Sequence, residues 1–290
     1  MDSPSIPLVD SRRRRRAMQR AAPALTGHAE LLDNLAELLV QRLDLLGTPP
    51  RRILELGRRT PGVARALARR FPGVCLLTHS DGWPVVPDPA VRWLVADAAA
   101  LPLQNGCVDT VLHAMDLHWQ NEPERVLAQV RRVLAPDGVY LGSVMGERSL
   151  MELRESAAAA DHHHHGRVWP RVRPGFTVTA LGDLLVRAGL SRTVVDVERM
   201  ELWAPSPAAL RGELQRFGAG NHHAQRAPGL AGRRFLAWMD AYYRERFARP
   251  DGKVQVSVEI LFAFGRRSPD RVGVALPFPG GASGGVTPSR

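Results

Sequence analysis

The run from Val91 to Gly146 constrains the fold of this chain more than any other segment. It holds two apolar stretches, VRWLVAD (Val91–Asp97) and VDTVLHAM (Val108–Met115), then an amphipathic stretch over Pro123–Leu134, and then VYLGSV (Val139–Val144) after the turn Pro-Asp-Gly. Short apolar stretches predict buried strands, and the helical periodicity of the amphipathic stretch predicts a helix. Strands and helices that alternate at this spacing imply right-handed βαβ units and a parallel sheet covered on both faces. The run therefore predicts a doubly wound α/β fold.

The same alternation extends on both sides of this run. Upstream, the apolar spacing predicts a helix over His28–Leu46, a strand over Arg52–Leu56, a helix over Val63–Phe71 and a strand over Val74–Thr78. Downstream, it predicts a helix over 149–160, a loop over 161–166, a helix that Gly189 closes, a strand over 193–202 and a terminal strand over Val254–Arg267. With 290 residues, the chain is long enough for one large α/β domain with a full core.

Composition divides the chain into segments. Residues 1–27 form a basic N-terminal arm that contains SRRRRRAMQRAA. Residues 28–267 form the α/β domain, in which residues 203–251 interrupt the strand pattern with a helical insertion that we interpret as a lid. Residues 268–290 are rich in Gly, Pro and Ser and are predicted to be disordered, because they offer little apolar surface to bury.

The chain is strongly basic, with a formal net charge of +10 and a pI near 11.0. Nearly all of this charge is Arg, and Lys253 is the single Lys, a pattern typical of GC-rich codon usage. Basic stretches interleaved with aromatic residues, which favour nucleic-acid binding, are absent from the sequence. We therefore expect no specific nucleic-acid partner, and we take a solvated helix face as the default for the five-Arg run at 12–16, although it could also bind an acidic carrier protein, a partner subunit or lipid head groups.

The cysteine content and the hydropathy of the chain indicate its compartment. Cys75 and Cys107 cannot form a disulfide framework, which favours a reducing interior. Apolar stretches of about 20 residues, the length needed to cross a bilayer, do not occur in the sequence. We expect a soluble protein of the cytoplasm, or of the mitochondrial matrix if its source is eukaryotic.

The segments ADAAALPLQNGCVDTVLHAMDLHW and RRVLAPDGVYLGSV resemble S-adenosylmethionine-dependent methyltransferases of the seven-stranded Rossmann-like type. More narrowly, the chain resembles the group that holds the malonyl-carrier-protein methyltransferase of biotin synthesis and the methyltransferase-like assembly factor of respiratory complex I. The second is the closer match, through the Arg-rich start, the LHW after the fourth strand, GERSLMELR and RFARPDGKVQVSVEILFAFG. The resemblance covers residues 9 to 267, and it implies a seven-stranded sheet whose last strand is antiparallel.

The resemblance also implies a cofactor site at the segment ELGRRTPG, where relatives carry an acidic residue and a Gly-x-Gly-x-Gly turn. Glu55 and Gly57 keep the start of this pattern, whereas Arg59 and Pro61 replace the second and third glycines. One interpretation is that Thr60 caps a helix with Pro61 at its first position, which gives a sound helix start with or without cofactor. The other is that Arg59 folds over the site and pairs with the carboxylate of the cofactor. We favour the first.

Three further positions are implied to contact the cofactor. Relatives hold the ribose hydroxyls with an acidic residue after the second strand, where this chain has Thr78, with Asp81 three residues later. Asp97 and Ala98 match the pair that contacts adenine, although they could also form a simple strand-end turn. Met115 would line the pocket, and its alternative role is core packing.

Histidines supply the remaining candidates. His118 lies in the LHW motif at the substrate side, where it is either a general base or a structural histidine that holds the loop. The run His162–His165 lacks the spacing and carboxylate support of a dedicated metal site, so we expect adventitious metal binding at most. No metal cofactor is predicted.

The sequence thus supports two hypotheses about function. The first is an S-adenosylmethionine-dependent enzyme of the methyltransferase superfamily that acts on a protein or carrier-bound substrate, either as a methyltransferase or in a complex I assembly role that modifies an arginine. The second is a non-catalytic scaffold or assembly protein, a pseudoenzyme that keeps the fold after losing the glycine turn and the ribose acid. Cofactor binding separates the two.

Overall fold

A computed structural model of the chain describes residues 8–25, 30–57, 60–80 and 91–268. Its strands, in chain order, are β1 (Arg52–Leu56), β2 (Cys75–Ser80), β3 (Arg92–Val95), β4 (Val108–Ala114), β5 (Leu134–Met145), β6 (Leu190–Ala204) and β7 (Val254–Arg267). They form a seven-stranded sheet in the order β3-β2-β1-β4-β5-β7-β6. The first five strands pair in parallel and β7 lies antiparallel between β5 and β6. The predicted doubly wound sheet with an antiparallel last strand is confirmed.

Helices cover both faces of this sheet. In chain order they are α1 (Ser11–Leu25), α2 (Glu30–Gln41), α3 (Gly62–Arg70), α4 (Pro123–Val133), α5 (Met151–His165), α6 (Val178–Arg187), α7 (Pro207–Arg216) and α8 (Arg233–Phe247), with short 3-10 turns at Arg42–Leu46 and Leu117–Trp119. Side chains of α2, α3, α5 and α8 contribute to one buried apolar cluster, and side chains of α4 and α6 contribute to a second. The two clusters give the domain its two hydrophobic layers.

The strand order reverses between β1 and β4, so the chain leaves these two neighbouring strands in opposite directions along the sheet. Ligands of open α/β sheets bind at such a switch point, beyond the carboxyl ends of the strands. The register places Glu55 of β1 beside Thr78 of β2 and Leu56 beside His113 of β4. The ends of β1, β2 and β4 therefore lie together at one edge.

Two local predictions were wrong. The run His162–His165 was predicted to lie in a loop, but it is the last turn of α5, which ends at Gly166 with φ +64°. An alanine-rich helix continues readily into these residues, because histidines are favourable at a helix C-terminus. The turn at 136–138 does not precede β5 but lies within it, as an irregularity that shifts the register opposite Val108 and Thr110 and puts Asp137 at φ +61°.

The other strands and helices agree with the predictions to within a few residues, and β1 and β7 agree at both ends. The predicted helical insertion contains α7 and α8. The basic arm forms α1, which packs against α7 and buries Arg14, Met18, Ala21 and Leu25. In the described part of the chain, no helix combines the length and the apolar character that a membrane crossing requires. The predicted tail lies, except for Ser268, outside the described residues.

Candidate cofactor site

Glu55 and Thr78 meet at the ends of two adjacent parallel strands. Both side chains are buried, and the Thr78 hydroxyl donates a hydrogen bond of 3.0 Å to Oε2 of Glu55. The two predicted cofactor residues are therefore neighbours, as their register requires. Thr78 uses its hydroxyl on another side chain of the site, whereas an acidic residue there would accept hydrogen bonds from ribose.

Gly57 begins the turn that follows β1. Its φ of +73° lies in the left-handed region, where a side chain is strained. A Cβ atom at this position would also collide with the Cβ and Cγ atoms of Asp116. Conformation and close packing therefore both require glycine here, and the residue that fills the space beside it is Asp116.

The far end of this turn starts a helix, as the favoured interpretation predicts. The Thr60 hydroxyl accepts a hydrogen bond of 3.2 Å from the N–H of Gly62 and donates one of 2.9 Å to Oδ1 of Asp33 in α2. The helix begins at Gly62, with Pro61 just before its first residue, one position later than predicted. A Cβ at Gly62 would lie 2.5 Å from Oδ1 of Asp33, so this glycine lets α2 and α3 approach closely. Arg59, on which the other interpretation depends, lies outside the described residues.

His79 links the turn after β1 to the end of β3. Its Nδ1 accepts from the N–H of Gly57 at 3.5 Å, and its Nε2 donates to the carbonyl of Ala96 at 3.0 Å. These two bonds assign the neutral tautomer with the proton on Nε2. Burial lowers the pKa of His79, which keeps the ring neutral. Sequence reasoning missed this residue, because a histidine inside an apolar strand carries no spacing signal.

Asp97 and Ala98 follow β3. The Asp97 side chain is exposed, and its Oδ1 accepts a hydrogen bond of 2.8 Å from the N–H of Ala99, while Ala98 is buried. This is the strand-end turn that was the alternative interpretation, and it also holds an acidic side chain at the carboxyl edge of the sheet. The geometry is compatible with both roles. Asp81 lies outside the described residues.

Met115 directly follows β4 and has a φ of +51°, unusual for a residue other than glycine. Its N–H donates to the carbonyl oxygen of Ser143 at 2.9 Å, and its side chain is buried in the cluster formed by α2 and α3. A cavity of about 20 Å³ lies here, lined by Leu32, Leu35, Ala36, Glu55, Thr60, Val63, Ala114, Met115 and Ser143. Met115 thus belongs to the core and lines a small cavity with Glu55, and its contact with a cofactor stays a prediction.

Asp116 forms a buried charged network that sequence reasoning missed. Its Oδ1 accepts from the Arg14 guanidinium of α1, and its Oδ2 accepts from Nε2 of His113 at 3.3 Å and from Nε2 of Gln120 at 2.6 Å. Burial by itself raises the pKa of Asp116, but the charge of Arg14 and the bond from His113 outweigh it and lower the pKa. The sequence feature that could have revealed this network is that Asp116 stands between two apolar residues, because a buried carboxylate needs a partner.

His118 lies on the 3-10 turn after β4 and is buried. Its ring centroid is 5.2 Å from that of Trp119, which in turn is 5.4 Å from His222. His222 Nε2 donates to the carbonyl of Gly218 at 2.8 Å. The structure therefore places His118 in a packed aromatic group between the loop after β4 and the helical insertion, and its role as a base stays a prediction.

The histidine run lies away from this edge, on the helix pair α5 and α8. His163 stacks on Trp238 with centroids 4.7 Å apart, and His165 stacks on Phe235 at 6.0 Å. Among the described residues, no group of three or more His, Cys, Asp and Glu side chains is arranged to hold a metal ion. The run packs against aromatic rings.

Comparison with known proteins identifies the family. A family model described as "Methyltransferase domain" matches residues 54–142, from β1 to β5. The malonyl-[acyl-carrier protein] O-methyltransferase of Laribacter hongkongensis is 32% identical over 271 residues, which cover 88% of this chain and 88% of that protein. This chain belongs to the class I S-adenosylmethionine-dependent methyltransferases.

Other members of this methyltransferase superfamily extend the comparison. The enzyme of the same name from Geobacter sulfurreducens is 32% identical over 90% of this chain and 100% of that protein. Human mitochondrial arginine-hydroxylase NDUFAF5 is 33% identical over 172 residues, 59% of this chain and 50% of that protein. A solved structure of a candidate methyltransferase from Bacillus halodurans shares the fold, with a TM-score of 0.51 at 13% identity, over 79% of this chain and 98% of that one.

The methyltransferase family implies S-adenosylmethionine as cofactor, and the residues present fit it in part. Glu55 lies in β1, Gly57 follows it, and Asp97 and Ala98 follow β3, all at the carboxyl edge where the resemblance predicts cofactor contacts. Gly57 keeps the positive φ that lets a backbone approach a ligand closely. Thr78 of β2 does not fit, because its hydroxyl is directed to Glu55 and supplies no carboxylate for ribose.

Proposed function

We propose that this chain binds S-adenosylmethionine at the carboxyl edge of β1 to β4 and methylates a carboxylate carried by an acyl carrier protein. One observation carries this proposal: relatives named malonyl-[acyl-carrier protein] O-methyltransferase align with 88% and 90% of the chain, and the alignments extend well beyond the methyltransferase domain. The arginine-hydroxylase relatives align over a shorter part, 59% in the human case.

The chemistry of a carboxylate acceptor suits the side chains of this edge. The bound cofactor supplies an electrophilic methyl group, and the protein has to position the acceptor and exclude water. A carboxylate is ionised at neutral pH, so its methylation needs no general base. Asp116 and His79, which are buried at this edge, already hold other groups in place.

A groove on the outer face of α1 supports an acidic protein partner. Its volume is about 370 Å³, and it is lined by Asp10, Arg12, Arg13, Arg16, Arg20 and Arg226. Arg12, Arg16 and Arg20 lie on one face at spacings of four residues, which disfavours the helix by about 0.2–0.5 kcal/mol per like-charged pair. Asp10 accepts from the N–H of Arg13 at 3.0 Å and so caps the helix. The groove thus presents arginines for carboxylates to pair with.

Binding and transfer are tested on the full chain. Calorimetry measures the Kd of S-adenosylmethionine and S-adenosylhomocysteine, and methyl-labelled cofactor reports transfer to malonyl-acyl carrier protein. We expect micromolar binding, labelled carrier, and an affinity lowered about tenfold in Asp97→Ala, the loss of one good polar contact. Asp97→Asn is the matched control, because it keeps the bond to Ala99. Equal affinities in the wild type and Asp97→Ala would show that Asp97 does not hold the cofactor.

The arginine groove gives a separate test of the partner. Arg12→Glu/Arg16→Glu/Arg20→Glu is expected to raise the KM for the carrier-bound substrate about tenfold or more, since rim charges act mainly on association, with an unchanged Kd for the cofactor. Arg233→Glu/Arg234→Glu, which reverses exposed arginines of α8, is the control. A KM equally insensitive to both variants would refute docking at this groove.

The scaffold hypothesis is the second candidate. Thr78 favours it, because a hydroxyl bonded to Glu55 stands where relatives carry the acidic residue that binds ribose. No calorimetric signal with millimolar S-adenosylmethionine would support the scaffold and refute the methyltransferase. Cofactor binding together with unmodified malonyl-carrier protein and an oxidised arginine in a substrate peptide would instead place the chain with its arginine-hydroxylase relatives.

A further inference from the structure

The inner face of α1 carries one arginine into the protein. Arg14 is only 5% exposed, although Arg13 and Arg15 beside it are exposed. Its guanidinium pairs with Asp116, whose side chain is 4% exposed. Removing two charges from water costs several kcal/mol for each ion, and apolar residues often replace such a pair without loss of stability. A charged pair at this depth is therefore better explained by a role other than stability.

Asp116 connects this pair to the turn after β1. The Asp116 side chain packs against Gly57 so closely that no other residue fits there. Its Oδ2 accepts hydrogen bonds from Gln120 and His113. With both oxygens engaged, Asp116 has little freedom to rotate, and it forms a fixed wall for Gly57.

The N-terminal arm is attached to the same loop at a second point. Val9 and Asn121 exchange two hydrogen bonds: the N–H of Val9 donates to Oδ1 of Asn121 at 2.8 Å, and Nδ2 of Asn121 donates to the carbonyl of Val9 at 3.0 Å. Arg14 and Val9 thus attach the arm to the loop after β4 at residues 116 and 121. Any movement of the arm is transmitted to Asp116 through Arg14.

We propose that Arg14 and Asp116 are positioning residues for the cofactor, which couple docking of the N-terminal arm to the conformation of the Gly57 turn. The docked arm holds Asp116 against Gly57 and sets the turn in its binding geometry. A released arm leaves the buried Asp116 carboxylate without its arginine, so that it moves towards water and frees the turn. The inference rests on the proposed function, because it concerns affinity for S-adenosylmethionine.

Two readouts test the coupling. Calorimetry gives the Kd of S-adenosylhomocysteine, and limited trypsin digestion with mass spectrometry gives the cleavage rate at Arg12 to Arg20, which rises when α1 leaves its site. Arg14→Met is expected to raise the Kd about tenfold, within the range of coupling energies between contacting residues, and to speed cleavage of the arm. Arg15→Met, an exposed neighbour on the same helix, is expected to change neither.

A double variant keeps the test valid if Arg14→Met folds poorly. Arg14→Gln/Asp116→Asn replaces the ion pair with neutral amides of similar shape, so no buried charge is left unpaired. We expect it to bind more tightly than Arg14→Gln alone and its arm to be cleaved more slowly. The cleavage rates are read on the free protein, so that part of the comparison does not depend on bound S-adenosylhomocysteine.

The outcomes separate this inference from the proposed function. No binding to the wild type would overturn both. Wild-type binding with an unchanged Kd in Arg14→Met, whatever the cleavage rate, would overturn the coupling alone and leave the pair as a structural attachment of the arm. A Kd that rises equally in Arg15→Met would also overturn it, since the effect would then come from the charge of the helix.

Discussion

The turn after β1 and the loop after β4 pack against each other through Gly57 and Asp116, but they are built on different principles. The turn carries the segment where relatives have a Gly-x-Gly-x-Gly pattern. This chain keeps Gly57, with its positive φ, but has other residues in place of the second and third glycines. The loop carries the LHW motif unchanged and adds Asp116, which Arg14 reaches from a distant part of the sequence. Local backbone requirements dominate the turn, and long-range charge pairing dominates the loop.

The carboxyl edge of the sheet derives its rigidity from contacts between these two segments and their neighbours. In a Gly-x-Gly-x-Gly turn the backbone conformation is enough to shape the site. Here one glycine remains at the start of the turn, where Asp116 and His79 contact it, and Thr60 at the far end of the turn bonds to Asp33 of α2. Changes to the loop should therefore cost more than changes to the turn.

The largest effect is expected from Asp116→Asn. The asparagine keeps a similar shape but removes the negative charge that pairs with the buried Arg14 guanidinium, and breaking a buried ion pair costs about 3–5 kcal/mol. Chemical denaturation at pH 7 measures the free energy of unfolding. Asp109→Asn is the control, because Asp109 accepts hydrogen bonds near the surface, at the opposite ends of the strands.

Acid should reduce the difference in unfolding free energy between the wild type and Asp116→Asn. The pKa of Asp116 is lowered in the folded protein, so its stabilising contribution is complete above the unfolded value of 3.8 and is lost as the pH falls below it. The unfolding free energies of the wild type and Asp116→Asn should converge below about pH 4. A gap that stayed constant down to pH 2.5 would mean that the ionised form of Asp116 is not what stabilises the fold.

Gly57→Ala is expected to have the next largest effect. The left-handed backbone costs a residue with a side chain about 1–2 kcal/mol, and overpacking against Asp116 adds about 1–3 kcal/mol. Thermal and urea unfolding measure the loss. Gly182→Ala in α6 is a matched control with open space around it, and it should raise stability by up to about 1 kcal/mol. A Gly57→Ala protein as stable as the wild type would show that the turn tolerates a side chain.

The fold was predictable because its determinants are local and repeated. VDTVLHAM and VQVSVEILFAFGRR carry the apolar patterns of strands, and the structure places β4 and β7 on them. The prediction of a loop at the histidine run was wrong because it depended on the polarity of these residues. Helix α5 continues through the run and packs His163 on Trp238. Side-chain partners from another helix are not visible in a local pattern.

The candidate site was predictable only where it depends on the strand ends. Glu55 and Thr78 could be placed because parallel strands bring their carboxyl ends to one edge. Arg14 and Asp116 are 102 residues apart, and one arginine in a run of five has no local mark that sets it apart. Arg14 is distinguished from the other arginines of the run only by the packing of α1, which buries Arg14 together with Met18.

The smallest effect is expected from His79, which joins the turn to β3. Burial lowers its pKa in the folded state, so the contribution of the neutral ring is complete above about pH 6.5 and is lost as the pH falls below that value, where the unfolded chain takes up the proton. Protonation would also remove the acceptor of the Gly57 N–H. Asp116 and Asp97 oppose the shift and His113 adds to it, but burial dominates.

His79→Asn tests this contribution. Between pH 6.5 and 5.5 we expect the wild type to lose about 1 kcal/mol more unfolding free energy than His79→Asn, the upper limit for one group that gains a proton only on unfolding. Urea unfolding at both pH values measures the difference, and His222 and His223, whose pKa values burial also lowers, contribute equally to both proteins. Equal losses of unfolding free energy in the two proteins would show that the neutral state of His79 does not contribute to stability. The turn after β1 would then depend on Asp116 far more than on β3, which would increase the contrast between this turn and the loop after β4.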